Sequence, residues 1–174
     1  EIDLSQDRRE GFSDAFSIQT PVTKTKIDLG TEKQASIEIK KIASAFGAGL
    51  VGITNYDSRW EYSNKYSDIS LKSHPPEIPE NLNNVIVVAQ PMDYELIKTV
   101  PSALSGSATG LGYSHDALTV LSLTQYIRNL GYEAIGSMND TSLAIPYAIK
   151  AGLGEYGKNG LVITNKFGPR VRLG

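Results

Sequence analysis

The run Val85-Ile86-Val87-Val88-Ala89 sets the tightest limit on how this chain can fold. Five consecutive apolar residues, most of them β-branched, leave no polar face, so as a strand the run must be covered on both sides. The flanking sequence offers the layers to do it. Thr31 followed three residues later by Gln34 has the form of a capping box, and Ala35, Ile39, Ile42, Ala43 and Phe46 recur at helical spacing until Gly47 and Gly49. Leu50–Thr54 reads as a short buried strand. Ser114–Leu130 carries Ala117, Leu118, Leu121, Leu123, Thr124 and Ile127 at helical spacing, with Gly131 placed as a C-cap, and a stretch of small residues, 101–112, leads into it.

Three weaker elements follow. Tyr132–Ile135 is predicted as a strand, Ile145–Ala151 as a short helix opened by Pro146, and Leu161–Thr164 as a further strand. The order helix, strand, strand, helix, strand, helix, strand, without internal repeats, predicts an α/β fold of the α+β sandwich kind, with a central mixed sheet flanked by helices. Residues 1–30 are polar and irregular apart from a short amphipathic piece around Phe12, Ala15 and Phe16, and read as an extended arm; 31–174 form the core. Asn55–Pro79, rich in aromatics, Ser and Pro, is predicted as one long loop, and a loop of that length in a compact domain tends to be functional.

Composition narrows the function. With 17 basic and 19 acidic residues, a net charge of −2 and no basic block, the chain offers no footprint for a phosphate backbone, so nucleic acid is not an expected partner. No window reaches the roughly 18 apolar residues of a membrane span, and no signal pattern precedes the first helix, so a soluble chain is expected. There is no cysteine, and His74 and His115 are the two histidines; thiolate, iron–sulfur and histidine-rich metal sites are therefore not expected within these residues. Both ends read as cuts in a longer sequence.

The segment from Ala144 to Leu161, containing Ala151-Gly152-Leu153-Gly154-Glu155-Tyr156-Gly157-Lys158-Asn159, is followed by Phe167-Gly168-Pro169-Arg170-Val171-Arg172. It closely resembles the corrinoid-binding region shared by reductive dehalogenases and epoxyqueuosine reductases. Leu50–Ile53, Arg59-Trp60, Val85–Ala89, Gly131-Tyr132 and Asn139-Asp140-Thr141 resemble the dehalogenase branch, and the likeness covers most of 33–174. The resemblance implies a nitroreductase-like fold, a buried base-off corrinoid of the cobalamin type and two [4Fe–4S] clusters in a downstream ferredoxin-like segment beyond these residues. It also implies a small organohalide as substrate, an electron donor acting through the clusters, and a possible membrane-anchor subunit, with the protein exported to the outer face of the cytoplasmic membrane.

Tyr113, Asn139 and Arg172 match the family's active-site pattern. Reductive removal of a halogen leaves a carbon that must be protonated, and a phenol with an ordinary pKa of about 10 keeps its proton until it is needed. A permanently charged guanidinium beside it stabilises the phenolate that forms. Tyr113 is thus the expected proton donor and Arg172 its electrostatic partner. Asn139 would orient the phenol or contact the halogen, while Thr109 and Leu173 are expected to line the same pocket and Trp60 to wall the substrate. Thr141, Ser142, Gly157, Lys158 and Asn159 are the expected corrinoid contacts, through hydrogen bonds to its amide side chains and close backbone approach.

Gly152, Gly154 and Gly157 are not a phosphate-cradling loop, since the third glycine falls one residue early and the segment follows a helix. Two other readings compete with the dehalogenase. An epoxyqueuosine reductase would use Asp where Tyr113 stands and would want a basic face for tRNA. A non-catalytic corrinoid-binding module would have no use for a phenol paired with a guanidinium.

Overall fold

A computed structural model describes residues 21–67, 71–76, 78–138 and 141–174. Helix α1, Glu32–Ala45, starts as expected: the Thr31 hydroxyl accepts from the Gln34 N–H while the Gln34 side chain accepts from the Thr31 N–H. Strand β1, Leu50–Asn55, follows. The predicted long loop holds more order than expected, with one 3-10 turn at Ser58–Trp60 and a two-stranded hairpin of β2, Lys65–Ser67, and β3, Lys72–His74. Alternating Lys, Tyr and Ser give such strands no apolar face, which is why they were not legible as strands.

Strand β4, Asn84–Pro91, is the middle of the central sheet, whose order is β1-β4-β7 with β7 at Val171–Leu173. Both pairings are antiparallel, so the mixed sheet expected from the sequence is antiparallel among the described residues. Gly52 lies opposite Val87, Gln90 opposite Arg172, and the β7 edge is extended by backbone bonds between Gly174 and Val88.

The apolar run of β4 is covered on both faces. Val88 packs with Ile39, Ala43, Val120 and Leu123, which belong to α1 and to α3, the helix Ala103–Asn129. Val87 packs on the opposite face with Tyr147, Ala148 and Val162. Tyr147 and Ala148 lie on α4, Ala144–Lys150, which has Pro146 in its first turn as predicted. Between β4 and α3 lies the one-turn α2, Tyr94–Ile97.

The long helix starts earlier than its apolar periodicity implied. Ser102 caps it reciprocally with Ser105, and the helix passes through the small-residue stretch for 27 residues in all. Its sheet-facing side there is Ser105, Ala108, Gly112 and Asp116, small or polar residues at helical spacing that carry no hydrophobic signal. At the other end Gly131, at φ +86°, takes the left-handed position after the C-cap as predicted.

Tyr132–Ile135 is not a strand. Its backbone bonds go outside any sheet, the Tyr132 N–H donating to the Ile127 carbonyl at 3.2 Å and the Ala134 carbonyl accepting from Arg128 at 2.9 Å, while the Tyr132 hydroxyl donates to the Ile27 carbonyl at 2.8 Å. The predicted strand at Leu161–Thr164 shrinks to β6, Val162–Ile163, paired with β5, Glu155–Tyr156. The amphipathic piece at Phe12, Ala15 and Phe16 lies outside the described residues. The described part of the arm follows the end of α3, Thr23 donating to the Arg128 carbonyl and Ile27 to that of Leu130. Among the described residues no helix is long and apolar enough to cross a membrane.

Candidate active site

Tyr113 lies inside α3 and not ahead of it, so the helix fixes its direction. The Arg172 guanidinium, carried by β7, sits over the Tyr113 ring with its carbon 3.5 Å from the ring centroid. Gly112 permits this approach: a Cβ there would lie 2.9 Å from Arg172 Cγ and 3.3 Å from Met92 Cγ. Both partners are half-buried. A cation over an aromatic face is held by the ring quadrupole, by about 0.5–2 kcal/mol depending on desolvation. Thr109, four residues before Tyr113, shares its helical face, and its hydroxyl donates to the Ser105 carbonyl at 3.1 Å.

Residues directly opposite in a sheet project to the same face, so Gln90 accompanies Arg172 toward α3. Gln90 is 2% exposed; its amide donates to the Thr119 hydroxyl at 2.8 Å, which in turn donates to the Phe46 carbonyl at 3.1 Å. Asp116, 1% exposed, lies one turn beyond Gly112, and a Cβ on Gly174 would come within 2.5 Å of its carboxylate. Sequence reasoning missed Gln90, Thr119 and Asp116. The available signal was their polarity, at a strand end and at helical spacing from Gly112.

Other expected site residues are placed elsewhere. Leu173 alternates to the opposite sheet face from Arg172 and packs against the cluster of Val87 and Tyr147. Trp60 packs edge-on against Tyr147, with ring centroids 4.8 Å apart, and Lys150 stands over its ring. Gly157, Lys158 and Asn159 form the tip of the β5–β6 hairpin: the Gly157 N–H donates to the Leu161 carbonyl, and the Leu161 N–H donates to the Asn159 side chain. Asn139 lies outside the described residues.

Thr141 and Ser142 line a cavity of about 960 Å³ that wraps the edge of β4. Its lining includes the apolar Ile39 and Ile53, Tyr147, the amides of Asn55, Asn81, Asn83 and Asn84, the charged Lys26, Glu32, Lys40 and Glu133, and Gly174 just after β7. Among the described residues no three His, Cys, Asp or Glu side chains are grouped to hold a metal ion.

The loop beside this cavity carries shifted acids. The Tyr56 hydroxyl donates to Glu61, and that bond together with burial pushes the phenol up to about 12. Arg59 grips Asp57 with two bonds, 2.9 and 2.7 Å, and holds its carboxyl down at about 2. Burial raises the Tyr147 phenol, although its bond to the Asp57 backbone works in the opposite direction.

No protein-family model matches this chain. Its sequence is similar to curated tetrachloroethene reductive dehalogenases. Those of Dehalobacter restrictus (strain DSM 9455 / PER-K23) and Desulfitobacterium hafniense are each 36% identical over 177 residues, covering 82% of this chain and 32% of theirs. That of Sulfurospirillum multivorans is 31% identical over 160 residues, covering 78% of this chain and 32% of its own. Among solved structures, a catabolic reductive dehalogenase, NpRdhA, superposes with a TM-score of 0.74 at 20% identity over 90% of this chain and 23% of that one. A further reductive dehalogenase structure, said to suggest a mechanism for B12-dependent dehalogenation, matches with the same figures. The fold is therefore that of the reductive dehalogenases. The chain spans about a third of the length of the curated relatives it matches, and over that span it is a homologue of the reductive dehalogenases.

Proposed function

We propose that this chain supplies the proton-donating side of a corrinoid-dependent reductive dehalogenation of small organohalides. The observation that carries the reading is the Arg172 guanidinium seated 3.5 Å over the Tyr113 ring. In the reaction a carbon–halogen bond breaks, halide leaves, a carbon–hydrogen bond forms, and two electrons and one proton are consumed. Tyr113 gives the proton from its hydroxyl. Arg172 keeps its charge at any working pH and stabilises the resulting phenolate across the ring face, in surroundings where a nearby charge counts for more than in water.

A corrinoid, when bound, supplies the cobalt centre at which the two electrons reach the carbon–halogen bond. The residues present suit such a group. Thr141 and Ser142 offer hydroxyls, and Asn55, Asn81, Asn83 and Asn84 offer neutral amides, on a cavity lining that also carries Lys26, Glu32, Lys40 and Glu133; the hydroxyls and amides are a donor set that matches a macrocycle fringed with amides. Tyr113 and Arg172 are not among the cavity's lining residues; Gly174, two residues after Arg172 and just past β7, is. Iron–sulfur clusters held by residues outside this chain would deliver the electrons, since the chain itself has no cysteine.

The test is anaerobic turnover of a panel of chlorinated and brominated alkenes and phenols by the full-length protein, with and without corrinoid. Corrinoid-dependent halide release supports the reading. Corrinoid uptake without halide release from any substrate would sink it in favour of another reaction on the same cofactor.

A further inference from the structure

Tyr147 is 1% exposed, and its hydroxyl is engaged twice by the backbone of one residue: it accepts from the Asp57 N–H at 3.0 Å and donates to the Asp57 carbonyl at 2.9 Å. The Trp60 ring meets the Tyr147 ring edge-on at 86°. From this anchor the chain at 60–62 runs beside 141–143. Tyr62 donates to the Thr141 carbonyl at 3.0 Å, Leu143 donates to the Trp60 carbonyl at 2.8 Å, and Glu61 and Ser142 form an antiparallel bridge between those bonds. The circuit closes on itself, because α4 begins at Ala144 and carries Tyr147 back to Asp57.

A phenol that takes a hydrogen bond from a residue's N–H and gives one to the same residue's carbonyl pins the two peptide units on either side of that Cα, fixing the residue's position and its rotation. Neither bond alone would do both. Two of the loop's other side-chain contacts, Tyr56 on Glu61 and Arg59 on Asp57, lie within the loop. Lys150 of α4 reaches it by standing over the Trp60 ring and by a long bond to the Asn55 carbonyl, 3.4 Å, just ahead of it. That leaves the Tyr147 hydroxyl as the short hydrogen-bonded tie from an α4 side chain to the loop backbone. We propose that Tyr147 is a positioning residue: its hydroxyl holds the loop 57–62 to α4, and the loop's backbone in turn holds Thr141 and Ser142 at the cavity. As to what occupies that cavity, this rests on the corrinoid reading above; the positioning itself does not.

Tyr147→Phe removes one atom and leaves the ring in its place, and Tyr126→Phe is the control, removing a part-buried phenol's bond to Glu38 on the other face of the sheet. Amide hydrogen exchange is measured on both. The expected result for Tyr147→Phe is exchange about tenfold faster at Asp57, Tyr62 and Leu143, with Gly52 and Val87 in the central sheet unchanged. Faster exchange at Asp57 alone would overturn the proposal, because the loop would then hold the turn without the phenol. Faster exchange everywhere, including Gly52 and Val87, would overturn it too, as the hydroxyl would then be serving general stability.

Titration with hydroxocobalamin gives the second readout. Affinity should fall about tenfold in Tyr147→Phe and stay unchanged in Tyr126→Phe at a temperature where both are folded. Equal affinity in Tyr147→Phe and wild type would show that the turn keeps its binding position without the hydroxyl, against the proposal. If wild type takes up no hydroxocobalamin while the local amide pattern holds, the corrinoid reading fails and the positioning role of Tyr147 stands.

Discussion

Replacing each of the three glycines of α3 with alanine separates a helix-propensity effect from a packing effect at the candidate site. In a helix interior, alanine is better than glycine by about 1 kcal/mol, because glycine loses more backbone freedom on folding. At Gly106 and Gly110 an added Cβ meets nothing within 4 Å, so that gain should appear undiminished. For a chain of this size it corresponds to a rise in Tm of about 2–4 °C. Gly112 differs because the Cβ would stand 2.9 Å from Arg172 Cγ and 3.3 Å from Met92 Cγ. Forcing an extra methyl group into such a contact costs about 1–3 kcal/mol, and moving the guanidinium off Tyr113 forfeits about 0.5–1 kcal/mol more. Against the propensity gain this leaves Gly112→Ala about 0.5–3 kcal/mol less stable than wild type. Urea unfolding of the three variants, compared by midpoint at constant m-value, is the assay. A Gly112→Ala protein stabilised as much as Gly110→Ala would refute the close approach of Arg172 to α3, and with it the geometry of the pair.

Thr119→Val should cost about 1–3 kcal/mol in the same unfolding assay, because it strands the buried Gln90 amide and the Phe46 carbonyl. Asp57 is held at about 2 against an ordinary 3.8, chiefly by its side-chain bond from Arg59. A lowered folded-state pKa contributes stability above the unfolded value that is lost as the acid is protonated, so the loss falls between pH 3.8 and about 2. Arg59→Ala should flatten the stability profile in that window, as measured by unfolding midpoints at each pH. Tyr56 has the opposite sign: with its pKa raised from 10.0 to about 12, its contribution is present below pH 10 and lost as pH climbs through about 12. Glu61→Gln should bring one phenol back toward 10 in a phenolate absorbance titration; an unchanged titration would contradict the Tyr56–Glu61 bond.

Strands β1 and β4 of the central sheet were legible because their signal lies in single short runs. Val85–Ala89 announced a strand covered on two faces, Thr31 and Gln34 the start of α1, and Gly131 the end of α3. What escaped was structure whose information is tertiary. The first part of α3 is small and polar on its packed side, because Gly112 must admit Arg172 and Asp116 lies against Gly174, so no hydrophobic period marks it. Tyr113 and Arg172 were legible only through their place in a longer resemblance; 59 residues separate them in sequence, and β4 with its antiparallel partner β7 brings them together. Gln90 and Thr119 were missed for the same reason, since only the strand register puts Gln90 on the face of Arg172. Trp60, singled out in the sequence as an aromatic in a loop, packs on Tyr147, a contact that no sequence period announces.

The most direct test of the central claim is halide release by the corrinoid-loaded, full-length protein, wild type against Tyr113→Phe, with cofactor uptake measured in parallel. Removing a general acid costs about 10²–10⁴ in rate, so the account predicts a loss of that size with uptake unchanged. A Tyr113→Phe protein that releases halide at the wild-type rate would contradict it, and the proton would have to come from another group.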